Sequence, residues 1–192
     1  NQDQKKIKKS IKKGEELNLF TEYKQLKRQK IILSKAEELS AQGFENIVLA
    51  GYSAGAWASL NLQSRFPKKF KGSIAFNPAF AGLKKEWQKK YPHWGAFRKH
   101  QVDIFKQTDS LNAIVFAHSN DTFEDPETLS FFREFKNIEF VDYSEIKPSN
   151  CNWADVDKKM PSSKGHNLPQ SSCVTKYIND NNYLIKYLKK IF

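Results

Sequence analysis

Apolar residues in the first 41 positions recur at helical spacing, at Ile7, Ile11, Leu17, Phe20 and Tyr23, then at Leu26, Ile31, Ile32, Leu33, Ala36 and Leu39. The pattern predicts a helical N-terminal segment over 1–41, strongest from Glu22 onward. Gly43 interrupts it, and the pattern then changes to a short unbroken apolar run over 46–50, the signature of a strand buried on both faces. Similar runs at 71–77, 112–117 and 137–143 predict three more strands. Between them, small residues Ala54, Gly55, Ala56 and Ala58 open a predicted helix over 54–66 that Pro67 ends, and 126–135 reads as a further helix. The stretch 174–192 predicts one final helix, with Tyr177, Ile178, Leu184, Ile185, Leu188 and Phe192 on its apolar side.

Strands alternating with helices predict βαβ units and a mostly parallel sheet between helical layers, an α/β three-layer sandwich whose functional groups gather at the C-terminal ends of the strands. At 192 residues the chain is long enough for one domain with a substantial core, and the reading is a single domain over 1–192. One stretch breaks the alternation. The segment 79–110 carries Phe80, Trp87, Tyr91, Trp94, Phe97 and Phe105, and reads either as a lid-like insertion over a site or as surface helices that pack these rings inward.

Composition changes the picture in two places. With 39% hydrophobic residues and 15 Phe, the chain carries enough apolar material for a core and is not of the disordered class. The formal charge of +11 invites a nucleic-acid reading, but no helix-turn-helix, zinc-finger or RNP-like pattern accompanies it. The lysines read instead as solvated surface, open to contact with an anionic surface or substrate. No apolar run approaches the ~20 residues needed to cross a bilayer.

Candidate chemistry begins at Gly51-Tyr52-Ser53-Ala54-Gly55, placed between a predicted strand and a predicted helix. A serine hydroxyl is a weak nucleophile until a sharp turn presents it to a base, and a strand-to-helix turn does this. The same turn puts the Ala54 N–H at a helix N-terminus, where unpaired donors stabilise a developing oxyanion. Tyr52, beside the nucleophile, is a candidate binding residue. The bare pattern arises by chance in roughly one chain in twenty of this size, so its setting carries the argument.

Of four histidines, His166 follows Gly165 in a polar loop beyond the last predicted strand, an exposed place suited to a base. His93 and His100 lie in the aromatic insertion, and His118 closes a strand. For the orienting carboxylate, Asp121 follows the strand that ends at Ala117, with Glu124 and Asp125 as competitors and Asp125 favoured as a helix cap. No nucleotide-binding glycine pattern, Walker lysine or metal-ligand cluster appears, so neither a cofactor nor a metal is expected.

The order Ser53, Asp121, His166, with these strand contexts, resembles the α/β-hydrolase family, and more loosely its esterase-like and dienelactone-hydrolase-like members, over about 22–192. The resemblance implies hydrolysis of an ester or related acyl bond in a small molecule, with Ser53 attacking, His166 carrying the proton and Asp121 orienting the imidazole. Family members usually have several strands before the nucleophile strand, whereas only helix-like sequence precedes residue 46 here, and the chain is read as lacking those N-terminal strands. A non-catalytic hydrolase-like module that binds an anionic polymer or surface through its basic face is the alternative.

Cys151 and Cys173 flank the segment that holds His166. Bonded, they would tie down that segment and indicate a periplasmic or secreted protein; as free thiols they would fit a reducing cytoplasm.

Overall fold

The computed structural model describes residues 17–85, 92–108, 110–151 and 164–192. A long helix α1 (Leu17–Ala41) leads into strand β1 (Ile47–Tyr52), helix α2 (Ala54–Arg65) and strand β2 (Phe70–Phe76). Helix α3 (Pro92–Lys106) precedes β3 (Ala113–Ala117), and a 3₁₀ turn at Ser130–Glu134 precedes β4 (Ile138–Asp142). After a short helix α4 (Lys164–Asn167), the chain ends in α5 (Ser172–Asp180) and α6 (Tyr183–Ile191).

The four strands pair in parallel in the order β1-β2-β3-β4. Parallel strands need crossovers on the sheet faces, and both faces here are covered, which is why the strand sequences are continuous apolar runs rather than alternating ones. Every residue of β3, Ala-Ile-Val-Phe-Ala, is buried. Its side chains divide by the period of two. Ala113, Val115 and Ala117 pack with Trp57 and Leu60 of α2, Phe105 of α3 and Phe131 and Phe132 of the 3₁₀ turn. Ile114 and Phe116 face the other way, toward Val174 and Ile178 of α5 and Tyr187 of α6. The result is the expected sandwich of helices, parallel sheet and helices. On the β1 side, Ala36 of α1 packs with Ile47, Leu49, Leu62 and Phe70. Among the described residues β1 has a strand partner on one side only.

Two expected helices differ. The stretch 126–135 is a turn followed by the 3₁₀ segment, because Asp125 and Thr128 close on each other: the Thr128 N–H donates to Asp125 Oδ1 at 2.9 Å and its hydroxyl donates to the Asp125 carbonyl at 3.1 Å. Phe131 and Phe132 are both buried in this turn. The expected single helix over 174–192 is broken into α5 and α6 at Asn181 and Asn182. Asn182 sits in the left-handed region at φ 55°, and the Asn181 amide donates to the Tyr177 carbonyl at 2.9 Å, giving the end of α5 a side-chain partner. The apolar periodicity runs on through this break because α6 packs on the same side of the sheet.

In the aromatic insertion, Phe97 and Phe105 are buried, Phe80 lies 5.4 Å from Phe97, and Phe105 meets Trp57 edge-on at 5.3 Å. These rings serve the core. Trp87 and Tyr91, and the side chains of His93 and Trp94, lie outside the described residues, as does the N-terminal stretch 1–16.

Cys151 and Cys173 form a disulfide across a separation of 22 residues, tying the chain after β4 to the start of α5. Closing a loop of this length stabilises the fold by about 3 kcal/mol in the chain-entropy model. Replacing both cysteines by alanine is expected to lower the melting temperature by roughly 5–10 °C for a chain of this size, read by calorimetry. An unchanged midpoint would show that the bond does not constrain the unfolded chain.

Candidate functional site

Ser53 ends β1 and begins α2 at φ 55° and ψ −124°, a conformation that costs a non-glycine residue on the order of 1–3 kcal/mol. Hydrogen bonds hold it there. Its N–H donates to the Phe76 carbonyl at 3.0 Å, and its carbonyl accepts from Trp57 N–H at 3.1 Å and Ala79 N–H at 3.3 Å. The turn also needs Gly51, since a Cβ there would lie 2.4–2.6 Å from the backbone of Gly55 and Ala56. Gly55 has open space at its Cβ position, so the second glycine of the pattern is not required by contact.

Two loops from the C-terminal end of the sheet meet Ser53. One follows β3 and carries Asp121; the other, with the short α4, carries His166. The structure brings the three together: His166 Nε2 lies 2.8 Å from Ser53 Oγ, and His166 Nδ1 lies 2.7 Å from Asp121 Oδ2. The second carboxylate oxygen, Asp121 Oδ1, accepts from the N–H groups of Phe123 at 2.8 Å and Glu124 at 3.4 Å, which fixes the carboxylate plane. His166 was expected to be exposed, and here it differs. It is 5% exposed, enclosed by Phe123 at 4.4 Å and Tyr52 at 5.1 Å between ring centroids. Close packing against these two rings limits rotation of the imidazole.

Tyr52 donates its hydroxyl to Asn167 Oδ1 at 2.5 Å, and burial pushes its phenol up to about 12, so it stays a neutral donor. Its observed partners thus include His166, Asn167 and Gln170. Ala54 occupies the first position of α2, where the backbone N–H has no partner within its own helix.

The remaining candidates separate cleanly. His118 is buried and structural: its Nε2 donates to the Ile146 carbonyl at 2.8 Å, and its Nδ1 accepts from Asn120 N–H at 3.0 Å. His100 is exposed on α3. Glu124 is buried against Arg98 of α3 in a two-pronged pair of 2.6 and 2.8 Å, and burial nevertheless pushes its carboxyl up. Asp125 pairs with Lys84 at 2.6 Å. These pairs fasten the aromatic insertion to the loop that carries Asp121.

Burial alone would raise the Asp125 carboxyl, but Lys84 and the Thr128 groups outweigh it and hold it below the usual range. A carboxyl depressed on folding contributes stability that is complete above its unfolded value of about 4 and is lost as pH falls through the folded value. Lys84→Met is expected to cost at most about 1 kcal/mol at neutral pH, the pair being partly exposed, and to flatten the acid side of a stability profile measured by urea unfolding.

Asn77 and Tyr143 escaped the sequence reading. Asn77, directly after β2, is fully buried at φ 44° and donates from its amide to the carbonyls of Gly165 and His166, each at 3.0 Å. Tyr143, just after β4, donates to Asn77 Oδ1 at 2.7 Å. The available signal was an Asn-Pro pair closing a buried strand. Among the described residues no three His, Cys, Asp or Glu side chains converge as metal ligands would, and no helix is long and apolar enough to cross a membrane.

A strained serine turn at the end of a parallel strand, with aspartate and histidine on loops beyond β3 and β4, defines an α/β-hydrolase-like fold. No protein-family model matches the chain, and no curated protein matches it by sequence. Among solved structures it is similar to an esterase of Pyrococcus furiosus (15% identity, TM-score 0.34, covering 51% of this chain and 44% of that one). It is also similar to a thermophilic esterase (13%, TM-score 0.47, 85% and 73%) and to naproxen esterase, carboxylesterase NP, of Bacillus subtilis (14%, TM-score 0.46, 84% and 66%). The chain thus spans less than half of the Pyrococcus enzyme and about two thirds of the Bacillus one.

Proposed function

We propose that the protein is a serine hydrolase that cleaves an ester or related acyl bond in a small molecule through an acyl-enzyme intermediate. The observation that carries this reading is the continuous hydrogen-bonded chain from Ser53 Oγ through His166 to Asp121. Ser53 attacks the carbonyl carbon as its proton passes to His166 Nε2, while the Nδ1–H stays bonded to Asp121, which stabilises the imidazolium. The carbonyl oxygen, now negative, accepts from Ala54 N–H at the N-terminus of α2. The tetrahedral intermediate collapses, and His166 gives the proton to the departing alkoxide. Water, deprotonated by the same Nε2, then attacks the acyl carbonyl; as the acyl–Oγ bond breaks to release the acid, His166 returns the proton to Ser53 Oγ.

The aromatic insertion over 79–110 remains the proposed lid, but its Phe80, Phe97 and Phe105 rings belong to the core and do not themselves argue for an apolar acyl or alcohol group. The lysine-rich surface tolerates an anionic substrate. Tyr52 serves as a binding residue at the rim of the site. The Cys151–Cys173 bond supports an exported setting, periplasmic or secreted, because disulfides persist in oxidising compartments.

The test is intact mass after incubation with a fluorophosphonate, which reacts with an activated serine. One adduct on the protein, absent from Ser53→Ala, is the expected result. No adduct, together with salt-sensitive retention on an anionic polymer, would reject the hydrolase in favour of a binding module.

A further inference from the structure

We infer that Asn77 is a positioning residue for His166, a role that rests on the serine-hydrolase reading for its consequence in catalysis. It reaches the base through the backbone. The Asn77 amide group donates both of its protons, one to the Gly165 carbonyl and one to the His166 carbonyl, at 3.0 Å each. Two consecutive carbonyls held by one planar group fix the peptide on which the imidazole is mounted, and hence the direction of the His166 Cα–Cβ bond.

Asn77 is itself held by two further hydrogen bonds. Its N–H donates to the Phe116 carbonyl at 2.9 Å, which ties it to β3. Its Oδ1 accepts from the Tyr143 hydroxyl at 2.7 Å, which ties it to the end of β4 and fixes which edge of the amide carries the donors. Burial pushes the Tyr143 phenol well up, so the hydroxyl remains a donor. The side chain is wholly enclosed and its φ is 44°, a left-handed conformation that asparagine adopts more readily than most residues. Only an amide of this length supplies two donors and one acceptor from such a place. Aspartate has the shape but no donors, and would set a carboxylate against two carbonyl oxygens. Glycine keeps the backbone conformation and removes the side chain.

Those differences set the experiment. Wild type, Asn77→Gly, Asn77→Asp and Tyr143→Phe are compared by circular dichroism, by the rate of fluorophosphonate labelling, by kcat and KM for a p-nitrophenyl ester, and by proton NMR of the His166 Nδ1–H bonded to Asp121. The downfield NMR signal is assigned by its loss in His166→Gln. In both Asn77 variants the signal is expected to broaden or vanish, and labelling and kcat are expected to fall about 10- to 100-fold with KM unchanged, as for a catalytic group displaced by about 1 Å. Tyr143→Phe, which removes one hydroxyl and keeps the ring, should show the same change on a smaller scale. A retained signal with wild-type labelling in folded Asn77 variants would overturn the inference. So would a silent Tyr143→Phe if the Asn77 variants fail to fold, or absence of the signal from wild type. If wild type shows the signal, loses it on Asn77 substitution and yet is never labelled, the positioning role stands and the hydrolase reading fails.

Discussion

Ser53→Ala is expected to lower kcat for a p-nitrophenyl ester by about 10⁴- to 10⁶-fold while leaving the melting temperature within a few degrees of wild type. In the proposed mechanism the rate effect is large because the Ser53 hydroxyl forms the acyl-enzyme bond, and an alanine side chain has no nucleophile to replace it. The stability effect is small because the strained turn is held by backbone bonds to Phe76, Trp57 and Ala79, none of which uses the side chain. His166→Ala should fall nearly as far, and the double variant no further than either alone, since the two groups act as a unit. Asp121→Asn should reduce kcat less than Ser53→Ala and leave KM near its wild-type value, because the amide still fills the site but no longer enforces the tautomer that leaves Nε2 free to accept. Asp125→Asn is the discriminating control: its carboxylate is engaged with Lys84 and Thr128, and its loss should leave the rate unchanged. A crippled Asp125→Asn beside an active Asp121→Asn would reverse the assignment of the acid. The whole set is read by steady-state kinetics on the purified proteins.

What was legible in the sequence follows from how local each signal is. The four strands were readable to within a few residues because burial on both faces makes each a continuous apolar run, β3 most plainly, and such a run is a property of the segment alone. Ser53 was readable for a similar reason, since strand, turn and helix are contiguous there. Asp121 was readable only as one of three carboxylates after a strand; what separates it from Glu124 and Asp125 is that Arg98 and Lys84, 26 and 41 residues away, take the other two. The enclosure of His166 was not readable, because its walls are Tyr52 and Phe123, from distant parts of the chain. Asn77 carried only an Asn-Pro pair at a strand end and Tyr143 no signal, as their meaning lies in the partners that folding brings within 3.0 Å across 66 to 89 residues. The break at Asn182 lay in plain view in the polar run 179–182, but an unbroken apolar periodicity on either side outweighed it.

Gly165→Ala is expected to be the most damaging substitution that touches none of the reacting atoms. A Cβ at this position would lie 2.0 Å from the Asn120 carbonyl oxygen, 2.1 Å from its carbon and 2.6 Å from Asp121 N. All three are backbone atoms of the loop that presents Asp121, so no side chain rotates to make room. To reach ordinary contact the loops that carry His166 and Asp121 must separate by 1 Å or more, and that separation acts directly on the 2.7 Å bond between His166 Nδ1 and Asp121 Oδ2. It also pulls the Gly165 carbonyl away from Asn77. A misplacement of this size in a catalytic group lowers the rate by about 100-fold, and overpacking of a closed site costs about 1–3 kcal/mol. Gly165→Ala should therefore show kcat reduced at least about 100-fold and a lower urea midpoint. Gly55→Ala, whose Cβ would meet nothing within 4 Å, should be close to wild type in both measurements. The contrast isolates close approach of two loops from the general effect of replacing a glycine. Wild-type kcat in Gly165→Ala would mean that the two loops do not meet as closely as their backbones do here, and that the acid reaches the imidazole by another route.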